Sequence, residues 1–412
     1  MADVEQETIP PEKRPANESP VPETAARTPG IYHRERVLIA CAVLLVALFA
    51  FTAFIARQYH RMLHRIGDQW YANGEAAMKA GQTLTAVTDY RNALVYTPDD
   101  EGFQFHLALA LAGAGKEDEA RSYLTTLLTE SPGSGPVNLA LARVAANSKD
   151  SSDAIRYYHS AIYGVWNNDP LRQRWEVRRE LSEYLLDRND LRDAEPDLIA
   201  LAQEAPPNDP GSQRIAGDLL LRANFWSRAL AAYRAVLAAN HRDPDALAGA
   251  GRAAFELAMY SDAADYFRRL PPRNRAAPPI ADDFTLSQEA ATMNALRLDL
   301  RASEAARRAV RALAVAESRI SGCAKQRGEE LPVRPSVATP PTSLQKLYAT
   351  GIQNRRLWSE VNLAHHPDQV VAAMTFAVQA ESVGTAECGP PQTLADRALS
   401  LIASSSARPP SE

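Results

Sequence analysis

Between residues 67 and 275, apolar and small residues recur with the same spacing about every 34 residues. In each copy a large apolar residue followed by a small one marks a first helix. Ala followed four residues later by an aromatic residue or Leu marks a second, and Pro often closes the unit. The first copy comprises Trp70, Gly74, Ala77, Ala86, Tyr90, Ala93 and Pro98. The spacing predicts about six helix–turn–helix units.

The small residue of each first helix lets the second helix approach closely, and the aromatic residue or Leu fills the space beside it. These small residues are Gly74, Ala108, Ala142, Gly217 and Gly251. Each unit leaves an apolar face that only the next unit can bury, so the units are expected to stack into a solenoid. Gly81 and Gly115 fall between paired helices, where a helix C-terminus favours a left-handed residue.

The pattern resembles the tetratricopeptide repeat family over about half of the chain. The resemblance implies an all-α fold, with an α-solenoid of paired helices over residues 67–275, and protein binding as the default function. In that family the fifth, ninth and twelfth positions of each first helix tend to meet ligands. The positions that correspond here are Tyr71, Glu75, Met78, Phe105, Leu109, Arg143, Arg179, Glu183, Leu186, Arg214, Asp218, Leu221, Arg252 and Phe255. Their early members are largely apolar and their later members charged, which indicates a polypeptide ligand or a solvated inner face.

Residues 37–56 form an uninterrupted apolar run without a charge, long enough to span the hydrocarbon core of a membrane. A cleaved signal peptide is the competing interpretation, but the run is long, follows a polar tail and lacks a cleavage site. Residues 57–66 are predicted to continue this helix towards the repeats. Residues 1–36 are predicted to be a disordered tail, because their first 32 positions are rich in Pro, Glu, Thr and Ala. The tail is either inert or a docking peptide.

Basic residues on the two sides of the apolar run predict its orientation. The N-terminal side carries Lys13, Arg14, Arg27, Arg34 and Arg36, and the other side carries Arg57, Arg61 and Arg65. The positive-inside rule therefore favours a cytoplasmic N-terminus and a solenoid outside the cytoplasm, in the periplasm of a bacterium whose inner membrane holds the helix. The three arginines after the run either touch anionic headgroups or form a solvated face.

Beyond the repeats the chain remains helical in pattern but is no longer clearly repetitive. Proline pairs within residues 271–283 mark a boundary. Helical patterns are predicted over residues 284–321, 344–362, 367–382 and 391–403, with a loop at 325–343 and a frayed tail at 406–412. Residues 276–405 are thus either a divergent continuation that caps the solenoid or a separate helical domain.

Composition argues against one class of function, and the cysteines bear on the compartment of the domain. The chain is 46% hydrophobic and 23% charged, as folded proteins are, and its net charge of -5 argues against general binding of nucleic acid. Cys41 lies inside the apolar run. Cys323 and Cys388 form a disulfide if the domain lies outside the cytoplasm, and are otherwise two unrelated thiols.

Two clusters are weighed as chemistry and set aside. His365, His366, Pro367 and Asp368 are better explained as a turn with Pro367 opening a helix than as a metal site. Residues 113–116 resemble half of a phosphate loop, but Ala110 and Glu117 occupy positions that require Gly and Ser or Thr. We therefore expect no enzyme, metal or cofactor.

The sequence predicts a membrane-anchored scaffold that binds protein or peptide partners in a solenoid groove and contacts the bilayer through residues 37–56. Envelope assembly or export is a suitable setting. Two alternatives stay open: an adaptor facing the cytoplasm, and a structural subunit of a larger membrane complex. Residues 164–170 interrupt the repeat register, either as a partner contact or as a harmless insertion. The partners and the oligomeric state are not predicted.

Overall fold

The computed structural model describes residues 31–206, 209–297, 299–331 and 341–406. These residues form nineteen α-helices and no strand, apart from one isolated bridge between Ser134 and Val165. The predicted all-α fold is confirmed. Residues 1–30, 332–340 and 407–412, which hold most of the predicted tails and of the predicted loop at 325–343, lie outside the described residues.

The chain divides into two compact units, residues 1–114 and 115–412. The helices of the first unit are α1 (Ile31–Lys79), α2 (Thr83–Tyr96) and α3 (Glu101–Gly113). Within this unit α2 packs against both α1 and α3. The continuous helix α1 joins the apolar run to the first repeat. Residues 57–66 are therefore helical, as expected. It begins at Ile31, so residues 31–36 of the predicted tail are helical.

The second unit first contains helices that pair in chain order, α5 with α6, α7 with α8, α9 with α10 and α11 with α12. They are α4 (Glu117–Glu130), α5 (Gly135–Asn147), α6 (Ser151–Ile162), α7 (Pro170–Asp187), α8 (Leu191–Glu204), α9 (Pro210–Arg222), α10 (Trp226–Ala239), α11 (Pro244–Glu256) and α12 (Tyr260–Arg269). The apolar faces of α5 to α12 share one core that runs from Ala142 to Leu270. The helix pairs therefore bury their faces against one another, as repeat units must.

Seven further helices complete the second unit. They are α13 (Pro272–Arg275), α14 (Ile280–Ala291), α15 (Ala302–Arg327), α16 (Ser343–Asn354), α17 (Glu360–His365), α18 (Pro367–Cys388) and α19 (Leu394–Ser406). Helix α15 packs against α16, α17, α18 and α19 around a second core. Tyr260 of the last repeat belongs to this core and donates its hydroxyl hydrogen bond to the Leu401 carbonyl at 3.2 Å. The C-terminal helices therefore pack directly on the repeats.

Close helix approach in the repeats follows the predicted pairing of a small residue with an aromatic one. A Cβ atom on Gly74 would lie 2.6 Å from the Tyr90 ring, and one on Gly217 would lie 3.0 Å from the Tyr233 ring. On Gly251 it would lie 2.4 Å from the Phe267 ring. The predicted contact between a small residue and a ring is confirmed for these three glycines. Only glycine leaves room for the ring at these three helix crossings.

The turns inside the helix pairs take a left-handed residue, and two of them use glycine as predicted. Gly81 and Gly115 have φ angles of 73° and 72°. The same conformation recurs at later turns without glycine, at Lys149, Asn189, Asn224 and Ala258, whose φ angles are 63°, 58°, 64° and 59°. The turn geometry is thus conserved between repeats more strictly than the residue type is.

Two predicted helices in the C-terminal region are wrong in extent. The pattern over 284–321 is broken between Ala291 and Ala302, because Met293 and Ala295 turn into the second core. Arg297 anchors the same connection through an ion pair with Asp262 at 3.3 Å. The pattern over 344–362 is likewise broken, between α16 and α17. Tertiary burial and pairing therefore override helical periodicity here.

Candidate functional site

In the first unit three of the predicted groove residues, Tyr71, Glu75 and Phe105, lie next to a histidine, His106. Tyr71 of α1 stacks on Phe103 of α3, with ring centroids 4.7 Å apart and an interplanar angle of 14°. Its hydroxyl lies 3.3 Å from Nε2 of His106. The Nδ1 atom of His106 is 2.8 Å from the Gly102 carbonyl, an arrangement in which Nδ1 donates and Nε2 accepts. The two helices are therefore joined by one aromatic and hydrogen-bonded contact.

Glu75 is the charged member of this cluster. The hydroxyl of Tyr90 donates a hydrogen bond to Glu75 Oε1 at 2.5 Å, and His106 Nε2 lies 3.8 Å from the same atom. Burial raises the pKa of both Tyr71 and Tyr90, and the negative charge of Glu75 raises it further. Both rings therefore remain neutral phenols, and Glu75 supplies the negative charge.

Phe105, Met78 and Leu109 are the other predicted groove residues of this unit. Phe105 is half-buried, with its ring edge-on to His106 at a centroid distance of 5.6 Å. Met78 and Leu109 are also half-buried. Sequence reasoning missed His106, although it lies 35 positions after Tyr71, close to one repeat length. We call Tyr71, Glu75, Met78, Phe105, His106 and Leu109 the aromatic cluster.

In the second unit the first helices carry charges that pair with each other. Arg143 of α5 makes two hydrogen bonds to Glu180 of α7, at 2.8 and 2.7 Å. The Tyr158 hydroxyl donates a third at 2.8 Å. Burial favours a higher pKa for Glu180, but the bonds from Arg143 and Tyr158 outweigh it and lower the pKa. Glu180 therefore stays ionised, and Arg143 is held by a neighbouring repeat.

The next predicted groove residues form ion pairs within single helices. Arg179 contacts Glu176 at 3.0 Å and Glu183 at 2.6 Å along α7. The adjacent Arg178 points inward instead, where it pairs with Asp197 at 2.7 Å. Arg179 is therefore half-buried and paired along its own helix, whereas Arg178 is buried.

On α9, Arg214 contacts Asp218 at 3.2 Å and approaches Asp245 of α11 at 3.9 Å. The Tyr233 hydroxyl donates to Asp218 at 2.7 Å. Burial raises the pKa of Asp218, although the bond from Tyr233 and the charge of Arg214 oppose this. A tyrosine of the second helix thus meets a carboxylate of a first helix at Tyr90, Tyr158 and Tyr233, a contact that the sequence analysis did not predict.

The last predicted positions differ from one another. Arg252 is exposed, and its positive charge influences Asp283 of α14. Burial raises the pKa of Asp283, and the charge of Arg252 opposes this rise. Phe255 packs against both cores, edge-on to Tyr260 at 5.7 Å. Leu186 was predicted to line the groove but is 7% exposed, so this prediction is wrong. Leu186 belongs to the core that α5 to α12 of the second unit share.

The loop that interrupts the register is tied to the preceding helix pair. Val165 forms backbone hydrogen bonds with Gly133 at 2.7 Å and Gly135 at 3.0 Å. The Trp166 indole donates to the Ala161 carbonyl at 2.9 Å. The loop leaves Tyr163, Val165 and Leu171 exposed. Beside it, Leu171, Trp175 and Pro206 help to line a cavity of about 680 Å³ that the sequence did not indicate.

The cluster of His365, His366, Pro367 and Asp368 has a structural explanation. Pro367 opens α18, as predicted, and Asp368 lies in its first turn. His365 Nδ1 is bound to the Val361 carbonyl at 2.8 Å. Among the described residues, no three His, Cys, Asp or Glu side chains gather as a metal site.

The two cysteines outside the apolar run are joined. The Sγ atoms of Cys323 and Cys388 are 1.88 Å apart and their Cα atoms are 5.7 Å apart, which links the ends of α15 and α18. Nearby, Arg319 and Glu381 are buried together with Nε and Oε2 3.7 Å apart. Burial raises the pKa of Glu381, while Arg319 and Thr385 oppose the rise.

Comparison with known families agrees with this architecture. A family model described as a tetratricopeptide repeat matches residues 53–174, and a second model of the same description matches residues 216–279. The comparison with curated protein sequences finds no match.

Several solved structures are similar to parts of this chain. PilF of Pseudomonas aeruginosa is 17% identical with a TM-score of 0.37, over 55% of this chain and 98% of that one. YrrB, described as a repeat protein with an unusual peptide-binding site, is 16% identical with a TM-score of 0.35, over 49% and 97%. A repeat-containing protein of Cytophaga hutchinsonii is 14% identical with a TM-score of 0.41, over 58% and 93%.

Proposed function

This chain is a tetratricopeptide repeat protein, and we propose that it is a membrane-anchored scaffold that binds polypeptide partners on the exposed side of its first helices. Repeats of this family are modules of protein–protein interaction. The finer proposal adds the surface, the anchor and the cell envelope as its setting. The observation that carries it is the aromatic cluster in the first unit.

The aromatic cluster combines the features of a peptide-binding surface. Tyr71 and Phe105 offer large rings that lose little conformational entropy on binding, and Met78 and Leu109 add adaptable apolar contact. Glu75 keeps acceptor capacity beyond its bond from Tyr90, since a carboxylate accepts several hydrogen bonds. The cluster therefore suits a peptide that presents an apolar side chain next to a hydrogen-bond donor or a positive charge.

The charged side of the second unit suits selection among partners. Its charged side chains largely pair with each other within the fold. Half-exposed ion pairs of this kind contribute about 0.2–1 kcal/mol each to stability. A ligand whose charges match Arg179 and Arg214 can displace such pairs at small cost, whereas a mismatched ligand meets like charges. We therefore assign apolar partner binding to the aromatic cluster of the first unit and, separately, selection by charge to the first helices of the second unit.

The binding proposal is tested with full-length chain extracted in mild detergent. Phe105→Ala removes a ring from the aromatic cluster, and Thr88→Ala alters an exposed position on α2 of the same unit. We expect the first variant to reduce the partners that co-purify and the second to leave them unchanged. An unchanged partner set for Phe105→Ala combined with Tyr71→Ala, with helicity retained, would refute the proposal.

The anchor is assigned to residues 37–56 of α1, the part of a helix that is long and apolar enough to cross a membrane. We propose a single pass through the inner membrane, with the N-terminus in the cytoplasm and the repeats in the periplasm. The distribution of basic residues supports this orientation. The pairing of Cys323 with Cys388 supports it too, because such bonds persist in oxidising compartments.

Topology is tested by labelling Cys323 and Cys388 in intact cells with a membrane-impermeant maleimide, before and after reduction. Labelling only after reduction supports the periplasmic orientation. Labelling that needs cell lysis but no reductant would contradict it and favour an adaptor facing the cytoplasm. Cys41→Ser serves as the background in both arms.

A further inference from the structure

The part of α1 between the proposed membrane span and the repeats has two chemically distinct sides. At the angular spacing of an α-helix, its five basic residues fall within an arc of about 140°. These residues are Arg57, His60, Arg61, His64 and Arg65. Tyr59, Met62 and Ile66 fall within about 60° on the opposite side. Tyr59 and Met62 are 60% and 57% exposed, and Ile66 is half-buried, so the described chain leaves the first two of these side chains largely uncovered.

The apolar side continues towards the N-terminus with alternating steps of three and four residues, the spacing of a coiled-coil seam, and the same spacing continues towards the repeats with the polar Gln69 and Asn73. Towards the N-terminus the seam comprises Leu38, Cys41, Leu45, Leu48, Thr52 and Ile55. Towards the repeats it comprises Gln69, Asn73 and Ala76, which are exposed. No charged residue occupies the seam between residues 38 and 76, although charged residues flank it outside the apolar run.

We propose that α1 pairs with α1 of a second copy of this chain, as a parallel and in-register coiled coil along this seam. The inference rests on the proposed membrane anchor, because the anchor holds both copies in the same direction. A partner must follow the seam inside the bilayer and beyond it. Lipid covers residues 37–56, but it leaves Tyr59 and Met62 exposed to water.

Charge and area both fit a second copy. In a parallel pair the five basic residues of each helix point away from the seam, so like charges do not meet. Residues 37–66 are about 45 Å long at 1.5 Å per residue. A contact strip roughly 11 Å wide then buries roughly 1,000 Å² over the two copies, which reaches the size of a specific interface.

Cys41 lies on the seam, is exposed and is free, so it reports the pairing directly. Full-length chain in its native membrane is oxidised mildly and separated without reductant. We expect a cross-linked dimer through Cys41. In a Cys41→Ser background we expect the dimer to return with Leu48→Cys, which is on the seam. We expect it to be lost with Ala50→Cys, which is on the opposite side.

A second pair of variants tests the part outside the bilayer. Met62→Glu places a charge on the seam and is expected to abolish the Cys41 cross-link while the chain remains in the membrane fraction. His64→Glu places the same charge on the opposite side and is expected to keep the cross-link.

Three results would overturn the pairing: equal cross-linking at Ala50→Cys, no dimer at either seam position, or a Cys41 adduct whose mass identifies a different protein. Any of these in a chain that remains in the membrane leaves the binding proposal intact. A chain found outside the membrane fraction refutes the anchor and the pairing together.

Discussion

The close contact between Gly251 and Phe267 predicts that a larger residue at position 251 destabilises the fold. A Cβ atom on Gly251 would lie 2.4 and 2.6 Å from two carbons of the Phe267 ring, which is fully buried. Ordinary carbon contacts are about 3.5–4.0 Å, so the ring must move by about 1 Å. Overpacking of this kind costs about 1–3 kcal/mol, and alanine recovers up to about 1 kcal/mol of helix propensity. We expect Gly251→Ala to lower the free energy of unfolding by roughly 1–2 kcal/mol.

The matched control is Gly322, which lies in α15 with no heavy atom within 4 Å of an added Cβ. Gly322→Ala should raise stability by roughly 0.5–1 kcal/mol, because only the propensity gain remains. Urea unfolding of the full chain in mild detergent, followed by far-ultraviolet circular dichroism, compares the two variants. Phe267→Leu added to Gly251→Ala should recover part of the loss. Stabilisation by Gly251→Ala equal to that by Gly322→Ala would refute the close approach.

Three further predictions concern the second unit. Replacing both Cys323 and Cys388 by Ser should cost about 4 kcal/mol on the chain-entropy model for a separation of 65 residues, and reductant should then have no further effect on unfolding. Because burial raises the pKa of Glu381, the folded state holds a proton that the unfolded state has released, so stability should fall as pH rises above about 4.3. Glu381→Gln should flatten this slope in unfolding curves measured at several pH values, and an unchanged slope would contradict it. Lys149→Gly should stabilise by about 1 kcal/mol in urea, since Lys149 has a φ of 63°, and a loss of stability would show that its side chain contributes more than its backbone costs.

The repeats were predictable from sequence because their packing is local and periodic. Gly217 and Tyr233 lie 16 positions apart within one unit, and the same offset recurs one period later at Gly251 and Phe267. A repeated offset between a glycine and a ring identifies a helix crossing without any structure. The left-handed turn at Ala258 was not predictable in this way, because alanine rarely adopts a positive φ and its presence does not indicate one.

The candidate site was predicted less completely, because ion pairs between repeats follow no fixed offset. Arg143 was predicted to be a groove residue, but nothing in the sequence indicated that Glu180 would bind it. Leu186 was also misplaced, because a leucine at a predicted groove position can pack into the shared core instead. The break between α14 and α15 is similar, since the anchoring contact from Arg297 joins elements that periodicity treats separately.

The most direct test of the central claim is site-specific photo-crosslinking in living cells, with a photoreactive amino acid placed at Phe105 or at Thr88. Both positions belong to the first unit, Phe105 in the aromatic cluster on α3 and Thr88 exposed on α2. The account predicts discrete polypeptide adducts from Phe105 that are absent from Thr88. Identical adducts from both positions, or no adduct from Phe105 in a chain that remains in the membrane, would contradict it.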